Sequence, residues 1–260
     1  MNVLSVRNLS KAYGGVQAVS NVSFNVAAGE LLALIGPNGA GKTTCFNMLN
    51  GQLAPDSGTV EFEGRNLIGM KPRHIWRLGV GRTFQITATF CSMTVRENVQ
   101  MALLSYHRRL GSLASIATRA YVAEADALLA RVGMSAQAGR NCAVLAYGDL
   151  KRMELAVALA NQPRLLLMDE PTAGMAPRER NALMQLAADL ARGSGIAVLF
   201  TEHDMDVVFA HAMRIIVLAG GELIAQGRPE EMRAHPKVRE VYLGTGATFG
   251  ASREVGAARA

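Results

Sequence analysis

The sequence predicts an α/β protein with a parallel-sheet core, an antiparallel β subdomain before it and an α-helical subdomain inserted into it. Three observations carry this expectation. The runs "ELLALIG" (30–36), "RLLLMDE" (164–170) and "IAVLFTEH" (196–203) are continuously apolar, as strands buried on both faces are. Helical spacing fills the chain between and after them, and strand–helix alternation of this kind closes a parallel sheet. Residues 1 to about 27 instead alternate polar and apolar side chains, the pattern of a sheet with one wet face.

In chain order, Val3, Ser5 and Val6 and then Val19, Val22, Phe24 and Val26 set the alternation of the first strands. "ELLALIG" follows as the first buried strand, then a glycine-rich turn and a helix from Thr43 to Leu49. "SGTVEFEG" (57–64) reads as a strand bounded by turn residues. From about residue 92 to 160 the chain is rich in Ala and Leu at helical spacing, and "YVAEADALLARVG" (121–133) is one helix within that block. Beyond "RLLLMDE" come a helix at about 178–192, the strand "IAVLFTEH", a helix at about 204–212 and a hairpin in "RIIVLAGGELIAQG" (214–227). One domain therefore spans 1–243, and the small, polar residues 244–260 form an expected disordered tail.

The composition narrows the classes. With 260 residues, 50% hydrophobic and 18% charged, the chain can bury a large core. No apolar run approaches the roughly 20 residues a membrane helix needs, and the N-terminus shows no signal-peptide pattern. The net charge of +6 is spread along the chain without interleaved aromatics, which argues for an ordinary basic surface and against a nucleic-acid platform. Cys45, Cys91 and Cys142 are scattered and odd in number, which suggests reduced thiols rather than a disulfide frame or zinc site.

The sharpest chemical signal is "GPNGAGKTT": Gly36, Pro37, Asn38, Gly39, Ala40, Gly41, Lys42, Thr43 and Thr44. It satisfies G-x-x-x-x-G-K-[ST] between a buried strand and a helix, the context in which backbone amides wrap a phosphate. The core is thus expected to be of the P-loop NTPase (RecA-like) kind, with ATP and Mg²⁺ as cofactors. Lys42 can reach the β- and γ-phosphates, and the Thr43 hydroxyl can ligate Mg²⁺. Asp169 and Glu170 end a core strand on the edge where such sheets bind ligands. Asp169 would hold Mg²⁺ through water, and Glu170 would take a proton from, or orient, the attacking water. Gln85 in "GRTFQ" can touch both Mg²⁺ and the water, and His203 can hydrogen-bond the γ-phosphate. Alone, either could be a polar strand end; both lie just beyond core strands on the phosphate edge.

Taken in order, these motifs resemble those of the nucleotide-binding subunits of ABC transporters, over residues 1 to about 243. The resemblance implies that Tyr13 stacks on adenine and that two subunits pair head to tail. Each ATP would then lie between one subunit's phosphate loop and the other's signature segment, here Leu145, Ala146, Tyr147, Gly148 and Asp149. "VLAYGDLKRMELA" (144–156), "GRTFQ…MTVRENV", "EHDMDVV" and "VREVYLG" look like the larger ATPase of branched-chain amino acid importers. Related amide or urea importers and lipopolysaccharide exporters have similar stretches. A soluble ABC ATPase acting on nucleic acid and a non-hydrolysing scaffold are the alternatives from other classes.

The partners implied are two transmembrane permease subunits, a second ATPase subunit (an identical or a different chain), a solute-binding protein acting through the complex, and no nucleic acid. The location implied is the cytoplasmic face of the inner membrane, as a peripheral subunit. The apolar stretch "ITATFCSMTV" (86–95) would meet a permease helix or enter the helical block as a buried loop. Ala146 lacks the family's signature serine hydroxyl, Asp149 brings negative charge near a triphosphate, Leu150 replaces a polar residue, and Ala176 in "AGMAP" (173–177) stands where Asp or Asn is usual. Either these changes weaken the composite site on the partner's phosphate loop, or they are neutral.

Overall fold

The computed structural model describes residues 1–83, 90–109 and 120–243. Strands β1 (Asn2–Tyr13), β2 (Val16–Ala27), β4 (Ser57–Phe62) and β5 (Arg65–Asn66) form an antiparallel sheet in the order β2-β1-β4-β5. One face of it buries Leu4, Val6, Leu9, Val19, Val22, Val26 and Val60, of which the sequence alternation marks Val6, Val19, Val22 and Val26. The two-residue strand β5 has too little sequence to carry a pattern.

A six-stranded sheet has the order β10-β9-β3-β8-β7-β6, with β3 (Leu31–Ile35), β6 (Val80–Thr83), β7 (Leu165–Asp169), β8 (Ala197–Thr201), β9 (Arg214–Ala219) and β10 (Glu222–Gly227). Strands β6 to β9 and β3 run parallel, and β10 returns antiparallel to β9 as the hairpin expected from the sequence. β3, β7 and β8 are buried at every residue, which is why their sequences do not alternate.

Helices cover both faces of this sheet. α1 (Lys42–Leu49) shares one apolar core with Leu32, Leu34, Leu165, Leu167 and the antiparallel sheet. The other face, with Leu31, Ala33, Ile35, Leu166 and Met168, packs α3 (Val95–Tyr106), α4 (Val122–Arg131), α5 (Tyr147–Leu159) and α6 (Pro177–Ser194). The short helices α2 (Pro72–Arg77), α7 (Met205–His211), α8 (Pro229–Ala234) and α9 (Pro236–Leu243) complete the chain. α3, α4 and α5 occupy the interval between β6 and β7, in the stretch read as helical from its spacing. α3 starts on a reciprocal cap: the Glu97 N–H donates to the Thr94 Oγ1 at 3.2 Å and the Thr94 N–H to the Glu97 carboxylate at 2.7 Å.

The two sheets interlock at one backbone oxygen. The Ala18 carbonyl of β2 lies where a side chain on Gly41 or on Gly221 would stand, 2.3 and 2.9 Å from their ideal Cβ positions. Gly41 has φ +98°, and the Ser20 N–H donates to the Gly221 carbonyl at 2.8 Å. Residues 244–260, read from sequence as a disordered tail, lie outside the described residues.

Candidate active site

The carboxyl ends of β3, β7 and β8 converge on one edge of the sheet, where parallel α/β folds bind ligands. A cleft of about 200 Å³ opens there, lined by Ala18, Asn38, Gly39, Ala40, Gly41, Lys42, Thr43, Thr44, Glu170 and His203. Its size suits phosphates and not a whole nucleotide, since small-molecule pockets start at roughly 300 Å³. A larger cleft of about 530 Å³, between α3, α4 and the start of β7, is lined mainly by apolar side chains. None of the candidate site residues lies in it, so the smaller cleft is where the chemistry can take place.

The loop before α1 is tightly fitted. An ideal Cβ on Gly36 would sit 2.3 Å from the Leu218 carbonyl oxygen, so no larger residue fits without moving backbone. Lys42 is buried and its Nζ donates to the Gly36 and Pro37 carbonyls at 2.6 and 3.1 Å. Burial pushes its pKa down, while the Glu170 and Asp169 carboxylates pull it back up. The ammonium is therefore poised on loop carbonyls that an entering phosphate can replace.

Asp169 and Glu170 are held by residues the sequence did not single out. The Thr201 hydroxyl donates to Asp169 Oδ1 at 2.7 Å and accepts the Glu170 N–H at 3.0 Å. Arg82 approaches Asp169 Oδ2 at 3.4 Å and also donates to Asn47 and Gln52 at 3.2 and 2.9 Å. Glu170 has φ +48°, uncommon for a residue with a Cβ and a conformation that clusters at active sites. Its Oε1 lies 2.6 Å from His203 Nε2. The buried Glu202 beside it accepts from the Thr172 N–H and hydroxyl at 2.9 and 2.7 Å. Burial raises the Glu202 pKa, and these hydrogen bonds oppose the rise. Thr201 is the register partner of Asp169 on the adjacent parallel strand, a pairing that "FTEH" alone does not reveal.

A hard divalent cation such as Mg²⁺ takes oxygen ligands and keeps several waters, filling the rest of its shell with phosphate. The Thr43 hydroxyl and the Asp169 carboxylate are oxygens of that kind on the same edge. No cluster of three or more His, Cys, Asp or Glu side chains that could hold a metal ion occurs among the described residues. Gln85, the third expected metal ligand, follows β6 but lies outside the described residues.

Tyr13 ends β1 at its hairpin with β2, half exposed and outside the phosphate cleft. Leu145, Ala146, Tyr147, Gly148 and Asp149 lie elsewhere, at the start of α5, and none of them lines the cleft. Ala146 is the N-cap and makes no side-chain cap, so the first amides of α5 have no side-chain acceptor from it. Tyr147 is exposed, while Gly148 is buried with the Glu179 carboxylate about 3.0 Å from its ideal Cβ position. The structure thus brings Lys42, Thr43, Glu170 and His203 together and keeps the signature residues apart from them.

No helix among the described residues is long and apolar enough to cross a membrane. The family described as "ABC transporter" matches residues 19–173, and one described as "Branched-chain amino acid ATP-binding cassette transporter" matches residues 222–248. The high-affinity branched-chain amino acid transport ATP-binding protein LivG of Salmonella typhimurium is 41% identical over 254 residues, covering 93% of this chain and 98% of LivG. A crystal structure of a nucleotide-free ATP-binding cassette from an ABC transporter superposes with TM-score 0.84 and 31% identity, covering 93% of this chain and 99% of that one. A dimeric post-hydrolysis cassette bound to ADP and Pi superposes with TM-score 0.74 and 26% identity, over 87% of this chain and 98% of that one. The chain belongs to the ABC transporter family of ATP-binding proteins.

Proposed function

We propose that this chain is the ATP-binding and ATP-hydrolysing subunit of an ABC importer for branched-chain amino acids, acting at the cytoplasmic face of the membrane beside two permease subunits. A second ATPase subunit would complete its ATP sites, and a solute-binding protein would deliver cargo to the complex. The observation that carries the hydrolytic part is the 2.6 Å contact between His203 Nε2 and Glu170 Oε1 at the rim of the phosphate cleft. The LivG relationship supports the cargo class.

The geometry supports the following chemistry. Amides of the 36–44 loop and the N-terminus of α1 wrap the β- and γ-phosphates. Lys42 exchanges two carbonyls for phosphate oxygens. Tyr13, at the hairpin end, can stack on the adenine that the cleft is too small to hold. A Mg²⁺ ion carried by Thr43, Gln85 and, through water, Asp169 would offset the charge on the phosphate oxygens. Glu170 orients a water against the γ-phosphorus or accepts its proton. The new P–O bond forms as the bond to the β-phosphate oxygen breaks, and ADP leaves with that electron pair. His203 holds Glu170 in place and can donate to the γ-phosphate. Across the dimer, Leu145–Asp149 present the start of α5 to the partner's ATP. Ala146 offers no hydroxyl there, and Asp149 and Glu179 add negative charge beside Gly148. Both features weaken that contact relative to the chain's own phosphate site.

The test is reconstitution with the two permeases and the second ATPase in vesicles, measuring ATP hydrolysis and uptake of leucine, urea and a short amide. Glu170→Gln should retain ATP binding and lose hydrolysis by about a thousandfold, as removal of a catalytic base or water-orienting group does. Hydrolysis undiminished in Glu170→Gln would overturn the catalytic assignment. Uptake of urea or amide in place of leucine would overturn the cargo. The corresponding Glu→Gln change in the second ATPase, made separately, reads the asymmetry: equal losses from the two changes would refute it.

A further inference from the structure

We propose that Arg180 is a positioning residue that ties the 173–177 loop to His203, so that a partner docking on that loop acts on the hydrolytic pair; this rests on the ATPase reading above. Arg180 lies near the start of α6, four residues after the loop's Ala176. One guanidinium nitrogen, Nη1, pairs with Asp204 Oδ2, and the other, Nη2, donates to the Met175 carbonyl at 3.1 Å. Its Nε is buried without an acceptor. Two contacts on different segments therefore fix the group, and both side chains of the pair are about three-quarters covered, at 26% and 29% exposure. A planar fork with nitrogens on two arms can span such a site, whereas an ammonium is a single point charge.

Each end of the fork leads to a functional segment. Asp204 is the N-cap of α7: its Oδ1 accepts the Asp206 and Val207 amides at 3.0 and 3.3 Å, leaving Oδ2 for Arg180. The residue before it is His203, whose imidazole meets Glu170 at 2.6 Å. Fixing Asp204 therefore fixes the backbone from which His203 reaches Glu170. At the other end, Ala176 caps α6 without a side-chain hydrogen bond and has no polar group to anchor the loop. Arg180 supplies that anchor from within the helix. The same loop lies beside the signature: an ideal Cβ on Gly174 would lie 3.6 Å from the Tyr147 ring. Loop and His203 segment thus meet through one guanidinium, with the signature beside the loop.

The expected signature is a loss in the chemical step with nucleotide binding intact, because no contact of Arg180 reaches the phosphate loop. In the assembled complex, Arg180→Met should lower kcat about tenfold through misplacement of His203, while KM for ATP stays within about twofold. Arg180→Lys, which keeps the charge but cannot span both acceptors, should fall between Arg180→Met and the unmodified chain. In a His203→Gln background, Arg180→Met should cost less than about twofold more, the non-additivity of residues acting through one another. Hydrogen exchange should rise together in the 172–176 and 203–208 amides of Arg180→Met, a readout that needs no ATPase activity. An unchanged kcat, an equal loss with and without His203, or exchange rising in one segment alone would each overturn the proposal. If Arg180→Met fails to fold, Arg180→Lys decides by the same kcat and exchange measurements. Parent protein without hydrolysis would be a failure of the ATPase reading, and the exchange result would still judge the tie.

Discussion

Thr201 offers a sharp test of how the carboxylate pair is held. It is fully buried at the end of β8; its hydroxyl donates to Asp169 at 2.7 Å and accepts the Glu170 N–H at 3.0 Å. Thr201→Val keeps the volume and β-branching, so it opens no cavity and suits the strand. The Glu170 amide keeps a second acceptor, the Thr201 carbonyl at 3.2 Å, and is not orphaned. What is lost is a hydrogen bond to a buried carboxylate, worth about 1.5–3 kcal/mol. Arg82 at 3.4 Å remains and offsets part of the loss, so we expect about 2 kcal/mol. In a domain of this size that lowers Tm by about 4–8 °C. Urea unfolding gives the free energy directly, and the m-value should not change. Thr201→Ser, which retains the oxygen, should recover most of the stability. The extra thermal shift produced by MgATP should also shrink in Thr201→Val, because Asp169 loses its orienting donor. A loss below about 0.5 kcal/mol, the size of an ordinary surface substitution, would refute the reasoning.

Three further outcomes follow from the same geometry. Burial raises the Glu202 pKa above its ordinary 4.5, so that group favours folding below 4.5 and its contribution is lost as pH rises through its folded value. Glu202→Gln keeps an acceptor for Thr172, and its stability relative to the parent should increase from pH 4 to pH 8 in urea unfolding; a flat difference would contradict the raised pKa. Gly36→Ala must displace the Leu218 carbonyl, which an ideal Cβ would approach to 2.3 Å, and should cost about 1–3 kcal/mol in unfolding and weaken binding of a fluorescent ATP analogue; unchanged binding would show that the loop has room. In the native protein a thiol reagent at pH 8 should modify Cys91 alone, since burial pushes Cys45 up to about 12 and Cys142 up to about 11 while Cys91 is exposed; rapid modification of a second thiol would count against this packing.

What the sequence made legible was whatever a local pattern encodes. β3, β7 and β8 are buried on both faces, so their apolar runs carried their own signal. Gly36–Thr44 encode their own loop, and α4 and α6 have helical spacing long enough to read. The short helices α2, α8 and α9, of six, six and eight residues, offer too few turns for a period to emerge and, unlike the equally short α1 and α7, do not follow a fully buried strand that would frame them. In the site, Lys42, Glu170 and His203 could be named because each follows a strand in a recognisable context. Thr201, Arg82 and Glu202 could not, because their roles exist only once neighbouring strands are in register. The Arg180–Asp204 pair is of the same kind: the partners are 24 residues apart and meet through packing of α6 on α7.

The Ala18 carbonyl, set against Gly41 and Gly221, makes three segments share one volume. Any side chain at 41 or 221 would need that oxygen to withdraw and would push the antiparallel sheet off the parallel one. These positions are therefore constrained as a set, and a change at one is tolerated only with a compensating change in strand β2. The antiparallel sheet is in this sense a fixed wall of the phosphate loop. Substitutions on its far, wet face should be free to vary, while shifts in the register of β2 should register as altered nucleotide affinity.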